Sequence, residues 1–118
     1  MRRKTGELVP LEVSILEASV GLAGRGIEEA HGFLLAKEIR DHEAARRLTS
    51  YGTLYKALDR LERVGYLSSR WEDPHAAAAD SRPRRRFYHT TAVGEQALVD
   101  ARRRVTEAGN RRPAAAQP

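Results

Sequence analysis

Cysteine is absent from this chain of 118 residues. Without it there is no disulfide framework, no thiolate metal site and no thiol nucleophile, and a reducing compartment suits the chain. Aromatic residues are scarce, with one tryptophan, Trp71. No apolar run approaches the roughly 20 residues needed to cross a bilayer. The stretch from Leu8 to Leu22 is interrupted by Glu12, Ser14, Glu17 and Ser19. The basic start Met1-Arg2-Arg3-Lys4 is followed by no signal-peptide apolar core. A soluble, cytoplasmic protein with no membrane partner is expected.

The motifs of catalysis are missing as well. His31, His42, His75 and His89 are scattered, with no His-Glu-x-x-His spacing. There is no phosphate-binding loop, no Gly-x-Gly-x-x-Gly and no nucleophile elbow. His75 lies between Asp73 and Asp80, a sparse set for a site on a Pro-containing segment. The expectation is no enzyme, no metal and no cofactor.

What the chain does carry is positive charge: 21 Lys and Arg against 16 Asp and Glu, a formal net of +5. Such a balance favours a polyanionic partner or an acidic surface, and says nothing about fold. The length fits one domain, small enough that a second subunit would help cover its core.

Apolar spacing predicts a first helix from Leu8, with Leu11, Ile15, Leu16, Ala18 and Leu22 on its buried face. Gly21, Gly24 and Gly26 then predict a flexible connection to about Ala30. Gly32-Phe33-Leu34-Leu35 opens a second helix, carried on by Ala36 and Ile39 and fading through Asp41 to Arg47. Thr49-Ser50 can cap a third helix, because a short hydroxyl accepts the unpaired N–H groups of the first turn. Leu54, Leu58 and Leu61 follow at i, i+4, i+7. Thr53, Lys56, Arg60 and Arg63 fall on a separate stripe, and Gly65 stands where a left-handed residue would end the helix.

Beyond Gly65 the period becomes two, and Tyr66–Glu72 reads as a strand. Residues 73–84 hold two prolines and read as a loop, and Arg85–Thr90 as the returning strand. Thr91 caps a fourth helix with Val93, Ala97, Leu98, Ala101 and Val105 on its apolar face. The fold class expected is mainly α with a small β-hairpin (α+β), in the order of a winged helix-turn-helix.

The third helix stands as Ser50-Tyr51-Gly52-Thr53-Leu54-Tyr55-Lys56-Ala57-Leu58-Asp59-Arg60-Leu61-Glu62-Arg63-Val64-Gly65-Tyr66-Leu67. It resembles the recognition helix of the PadR family of transcriptional regulators. His31-Gly32-Phe33 looks like the opening of that family's second helix. Arg82-Pro83-Arg84-Arg85-Arg86-Phe87-Tyr88-His89-Thr90-Thr91-x-x-Gly94 looks like its wing and exit. Tyr51 and Lys56 stand where the family has prolines, Ser81 where it has a glycine and Thr90 where it has a leucine.

The resemblance implies a sequence-specific regulator of transcription, a repressor acting as a homodimer on a double-stranded DNA operator. Residues 1–7 would be a flexible N-terminus, 8–91 the DNA-binding domain, 92–108 a dimerisation helix and 109–118 a disordered tail. Ser50, Tyr51, Gly52, Thr53 and Tyr55 would face base edges and phosphates, with Lys56 and Arg60 beside them. Arg82, Arg84 and Arg86 of the wing would follow the backbone or enter the minor groove. Val93, Ala97, Leu98, Ala101 and Val105 would pair with Leu11 and Ile15 of a partner's first helix. An effector site is left open, since no aromatic residue stands between Ala92 and Ala108 to clamp a flat molecule. Trp71 is expected to pack within the hairpin or core. The alternative is a winged-helix interaction module or co-regulator that does not touch the operator.

Overall fold

The computed structural model describes residues 7–42 and 50–110, the last two without their side chains. Helix α1 spans Pro10–Gly24. It begins two residues later than the apolar pattern suggests, because Pro10 takes the first helical position, where a missing N–H costs nothing. The Glu12 carboxylate reaches back to accept the Val9 N–H at 3.0 Å. A two-residue strand β1, Ala30–His31, leads directly into α2, Gly32–His42. The predicted fading of this helix to Arg47 falls outside the described residues, as do most of residues 1–7, expected to be flexible, and the chain beyond Asn110.

Helix α3 spans Tyr51–Arg63 and is capped by Ser50, whose Oγ accepts the Thr53 N–H at 3.2 Å. Leu54, Leu58 and Leu61 are buried together, as their spacing predicts. Gly65 ends the turn at φ 87°, a left-handed conformation that a side chain would strain. Strand β2, Leu67–Trp71, and strand β3, Arg86–Thr90, pair antiparallel from Leu67↔Thr90 to Trp71↔Arg86.

Two expectations need correction in this region. The hairpin is a three-stranded sheet in the order β1-β3-β2, since Ala30 and His31 pair with Tyr88 and Phe87. Residues 73–84 are not all loop: Pro74–Ala79 form a short helix, α4. Asp73 caps it by accepting the His75 N–H at 2.8 Å, and Pro74 followed by alanines favours the turn.

Helix α5 runs Ala92–Asn110, so it passes Gly109, where the disordered tail was expected to begin. Thr91 caps it through the Gly94 N–H at 3.0 Å. The same hydroxyl donates to the Gly65 carbonyl at 2.6 Å, and the Thr91 N–H donates to the Tyr66 carbonyl at 3.1 Å. The start of α5 is thereby tied to the chain just after α3. Thr90 donates to the Ser19 Oγ at 2.8 Å, a polar join to α1 that explains a threonine where a leucine is usual.

One core holds these elements together. Ile15, Leu16 and Leu22 of α1 meet Leu35 and Ile39 of α2, the three leucines of α3, and Leu67, Tyr88 and Leu98. Each fully buried leucine contributes roughly 1.5–3 kcal/mol relative to exposure. Leu98 and Ala101 are buried within the single chain, because α5 lies against α1 of the same molecule. No helix among the described residues is long and apolar enough to cross a membrane.

Candidate nucleic-acid interface

With its leucines turned inward, α3 leaves Ser50, Tyr51, Gly52, Thr53, Tyr55 and Lys56 exposed along its first two turns. Six residues that the sequence placed at an interface therefore share one surface with the free N–H groups of a helix start, which favours anions. Thr53 is partly engaged, since its Oγ1 accepts from the Ser50 hydroxyl at 3.0 Å. Tyr55 folds back onto Gly32 at the start of α2. A Cβ at Gly32 would stand 2.8 Å from the Tyr55 Cζ, so only glycine lets the ring lie there. That contact fixes α2 against α3 at the exposed end of both.

Arg60 is elsewhere. Its guanidinium donates to Glu12 of α1 at 2.9 Å, and that carboxylate is only 1% exposed. The expected outer stripe is corrected at this position, because a buried carboxylate on the neighbouring helix draws the arginine inward. Lys56 and Arg63 remain exposed, and no carboxylate among the described residues pairs with either.

The wing has a different electrostatic character. Arg82 binds Glu72 with both nitrogens, at 2.6 and 2.7 Å, and Asp80 at 3.3 Å. This fork pulls the Glu72 carboxyl down to about 2, chiefly through the Arg82 hydrogen bonds, and raises Arg82 in turn. Arg84 Nε donates to the Glu72 carbonyl at 2.9 Å. Arg86 donates to Ser69 at 2.9 Å and to Glu62 of α3 at 3.1 Å.

Arg84 and Arg86 also lie against the wing tryptophan, 5.7 and 5.4 Å from the centre of the Trp71 ring. Trp71 is 53% exposed, so of the two places expected for it, core or hairpin, it packs in the hairpin. It shares a strand face with buried Leu67, but the outer end of β2 extends past the body of the protein.

Between α3 and the wing lies a cleft of about 410 Å³, lined among others by Phe33, Tyr55, Asp59, Trp71, Arg84 and Arg86. Sequence reasoning did not single out Phe33 or His31 as part of this surface. The His31 Nδ1 accepts the Leu34 N–H at 3.3 Å, which requires that nitrogen to be unprotonated. Burial lowers the pKa of this imidazole, and the neighbouring Arg85 and Arg82 lower it further.

The residues expected to join two subunits are divided. Ile15, Leu98 and Ala101 are buried inside the chain, and Leu11 and Ala97 are half-buried. Val93 and Val105 are exposed, and so is Val99, on a different side of the helix from either. A groove of about 700 Å³ runs between α1 and α5, with Leu8, Pro10, Val13, Ala101 and Val105 among its walls. No group of three or more His, Asp or Glu among the described residues could hold a metal ion.

The family description "Transcriptional regulator PadR-like family" matches residues 22–100. A solved transcriptional regulator from Clostridium thermocellum is similar, at 21% identity and a TM-score of 0.67 over 85% of this chain and 84% of that one. A PadR family transcriptional regulator from Eggerthella lenta is 29% identical, with a TM-score of 0.54 over 84% and 82% of the two chains. A Streptococcus mutans protein is 21% identical, with a TM-score of 0.57 over 92% and 87%. No curated protein matches the chain.

Proposed function

Because the chain belongs to the PadR-like family of transcriptional regulators, we propose that it binds a double-stranded DNA operator as a homodimer and represses transcription from it. The observation that carries this reading is the start of α3. Ser50 to Lys56 present hydroxyls, a ring, backbone and an unpaired cation on one exposed surface, while the opposite face of the helix is locked in the core. A helix so held can enter the major groove without losing its own packing. Ser50, Tyr51, Gly52, Thr53, Tyr55 and Lys56 then meet bases and phosphates. Arg84 and Arg86, held against Trp71, present charge from the wing, with Arg82 bracing it.

Pairing of subunits is supported by the exposed Val105 and by the apolar groove that it borders between α1 and α5. A partner's α5 laid in that groove would cover Leu8, Val13 and Val105, leaving Ile15 and Leu98 to the fold of each subunit. A two-fold dimer doubles the recognition surface and calls for a palindromic operator.

Selection of bound sequences from a random duplex pool, followed by titration at several salt concentrations, tests the reading. A dimer making roughly 6–10 phosphate contacts gives a log–log salt slope of about −5 to −9. Sedimentation at micromolar concentration should give a dimer. Duplex binding that ignores salt, or a monomer in the centrifuge, overturns the corresponding half of the proposal. Failure to prefer any duplex over single strands would leave the interaction-module reading standing.

A further inference from the structure

Aromatic surface is unevenly placed in this molecule. Phe33 is 58% exposed and Tyr51 is 43% exposed, and Tyr55 and Trp71 also reach solvent on the same side. Phe33 and Tyr51 are not independent: their rings meet edge-to-face, with centroids 5.0 Å apart at 70°. His31 stands behind Phe33 at 6.4 Å. Tyr51 is the first residue of α3, and its hydroxyl makes no hydrogen bond within the described residues. The geometry therefore fixes the ring and leaves its outer face bare in the first turn, the part of a recognition helix that meets base edges.

A bare ring gains by covering apolar surface. The major groove offers one prominent apolar group, the C5 methyl of thymine; the other edge groups are hydrogen-bond donors and acceptors. We infer that the Tyr51 ring reads a thymine methyl in each half-site, and that Phe33 is the positioning residue that holds the ring to it. The inference rests on the DNA-binding reading above and adds the group recognised. It also assigns that recognition to the ring and not to the phenol hydroxyl.

The test starts from a duplex selected by the wild-type chain. Each thymine is replaced in turn by deoxyuridine, which removes the methyl and keeps base pairing and the O4 acceptor. At one or more positions per half-site the wild-type chain should bind about fourfold more weakly, the change expected for one buried methyl. Tyr51→Phe should keep that difference, Tyr51→Ala should abolish it, and Phe33→Ala should shrink it while thermal unfolding of the free protein stays near that of wild type. Phe33→Leu serves as the check where the alanine variant folds poorly, and should also shrink the difference. If no thymine can be replaced with loss, or if Tyr51→Ala keeps the full loss, the inference is overturned while DNA binding stands. If no duplex is selected at all, the DNA-binding reading itself fails.

Discussion

The first two turns of α3 and the wing flank the same cleft and are both rich in groups that suit DNA, but their charges are in different states. On α3, Lys56 and Arg63 have no carboxylate partner among the described residues. In the wing, Arg82 is forked onto Glu72, Arg84 is bound to a carbonyl, and Arg86 is bound to Glu62. A count of arginines would rank the wing first. Once ion pairs are considered that lead disappears: Arg84 and Arg85 of the wing, like Lys56 and Arg63 of the helix, have no carboxylate partner among the described residues, and the wing's other arginines serve to build the wing. Surface density of cations and their readiness to meet a phosphate are separate quantities.

The largest effect that sharpens this contrast concerns Arg60, the helix cation on the committed side. Removing it by Arg60→Ala leaves the buried Glu12 carboxylate without this cation and should lower stability by about 3–5 kcal/mol, read from urea unfolding. A loss under 1 kcal/mol would show that the pair does not hold α1 to α3.

Next comes DNA affinity. Lys56→Ala should cost about 1–3 kcal/mol at the base pair it meets, or reduce the salt slope by about one per subunit if it meets a phosphate. Arg82→Ala should change that slope less, because its charge is already balanced by Glu72 and Asp80. Equal slopes for the two variants would break the comparison.

A smaller, local effect is expected in acid. Glu72 ordinarily titrates near 4.5 and is held down to about 2 in the folded wing, so folding favours its ionised form. Its contribution is complete above pH 4.5 and fades as the pH falls toward 2. Trp71 fluorescence should report this loss in that window, because the ring precedes Glu72 in the chain and Arg84, bound to the Glu72 carbonyl, lies 5.7 Å from it. Glu72→Gln should remove the acid transition; a transition of unchanged size in that variant would assign it to another carboxylate.

The smallest effect lies at the wing turn. Ser81 adopts φ 54°, where a side chain costs about 1 kcal/mol or somewhat more. Ser81→Gly should raise the unfolding midpoint slightly. A fall would mean that the serine side chain contributes something the strain does not reveal.

How much was legible in the sequence followed the range of the interactions. Helix α3 was readable because Ser50, the leucine spacing and Gly65 all act within one or two turns. Arg60 was not, because its partner is 48 residues away in the chain and on another helix. The same holds for β1, two residues long, which is a strand only because β3 passes beside it. Asp73-Pro74 is itself a helix-start signal, and it was lost among punctuation that also marks loops. Trp71 alternated correctly along its strand, but periodicity does not tell where a strand outruns the body it packs on.

The join at Thr91 has a mechanical consequence. Helix α5 is 19 residues long, a rod of roughly 28 Å, and its base is clamped to the carbonyls of Gly65 and Tyr66 immediately after α3. Such a rod acts as a lever with its fulcrum beside the recognition helix. One degree of rotation at the fulcrum moves the far end by ~0.5 Å for that length. Read in reverse, whatever grips the far end turns α3 by only about two degrees per ångström of travel, a fine adjustment built from two hydrogen bonds and a threonine.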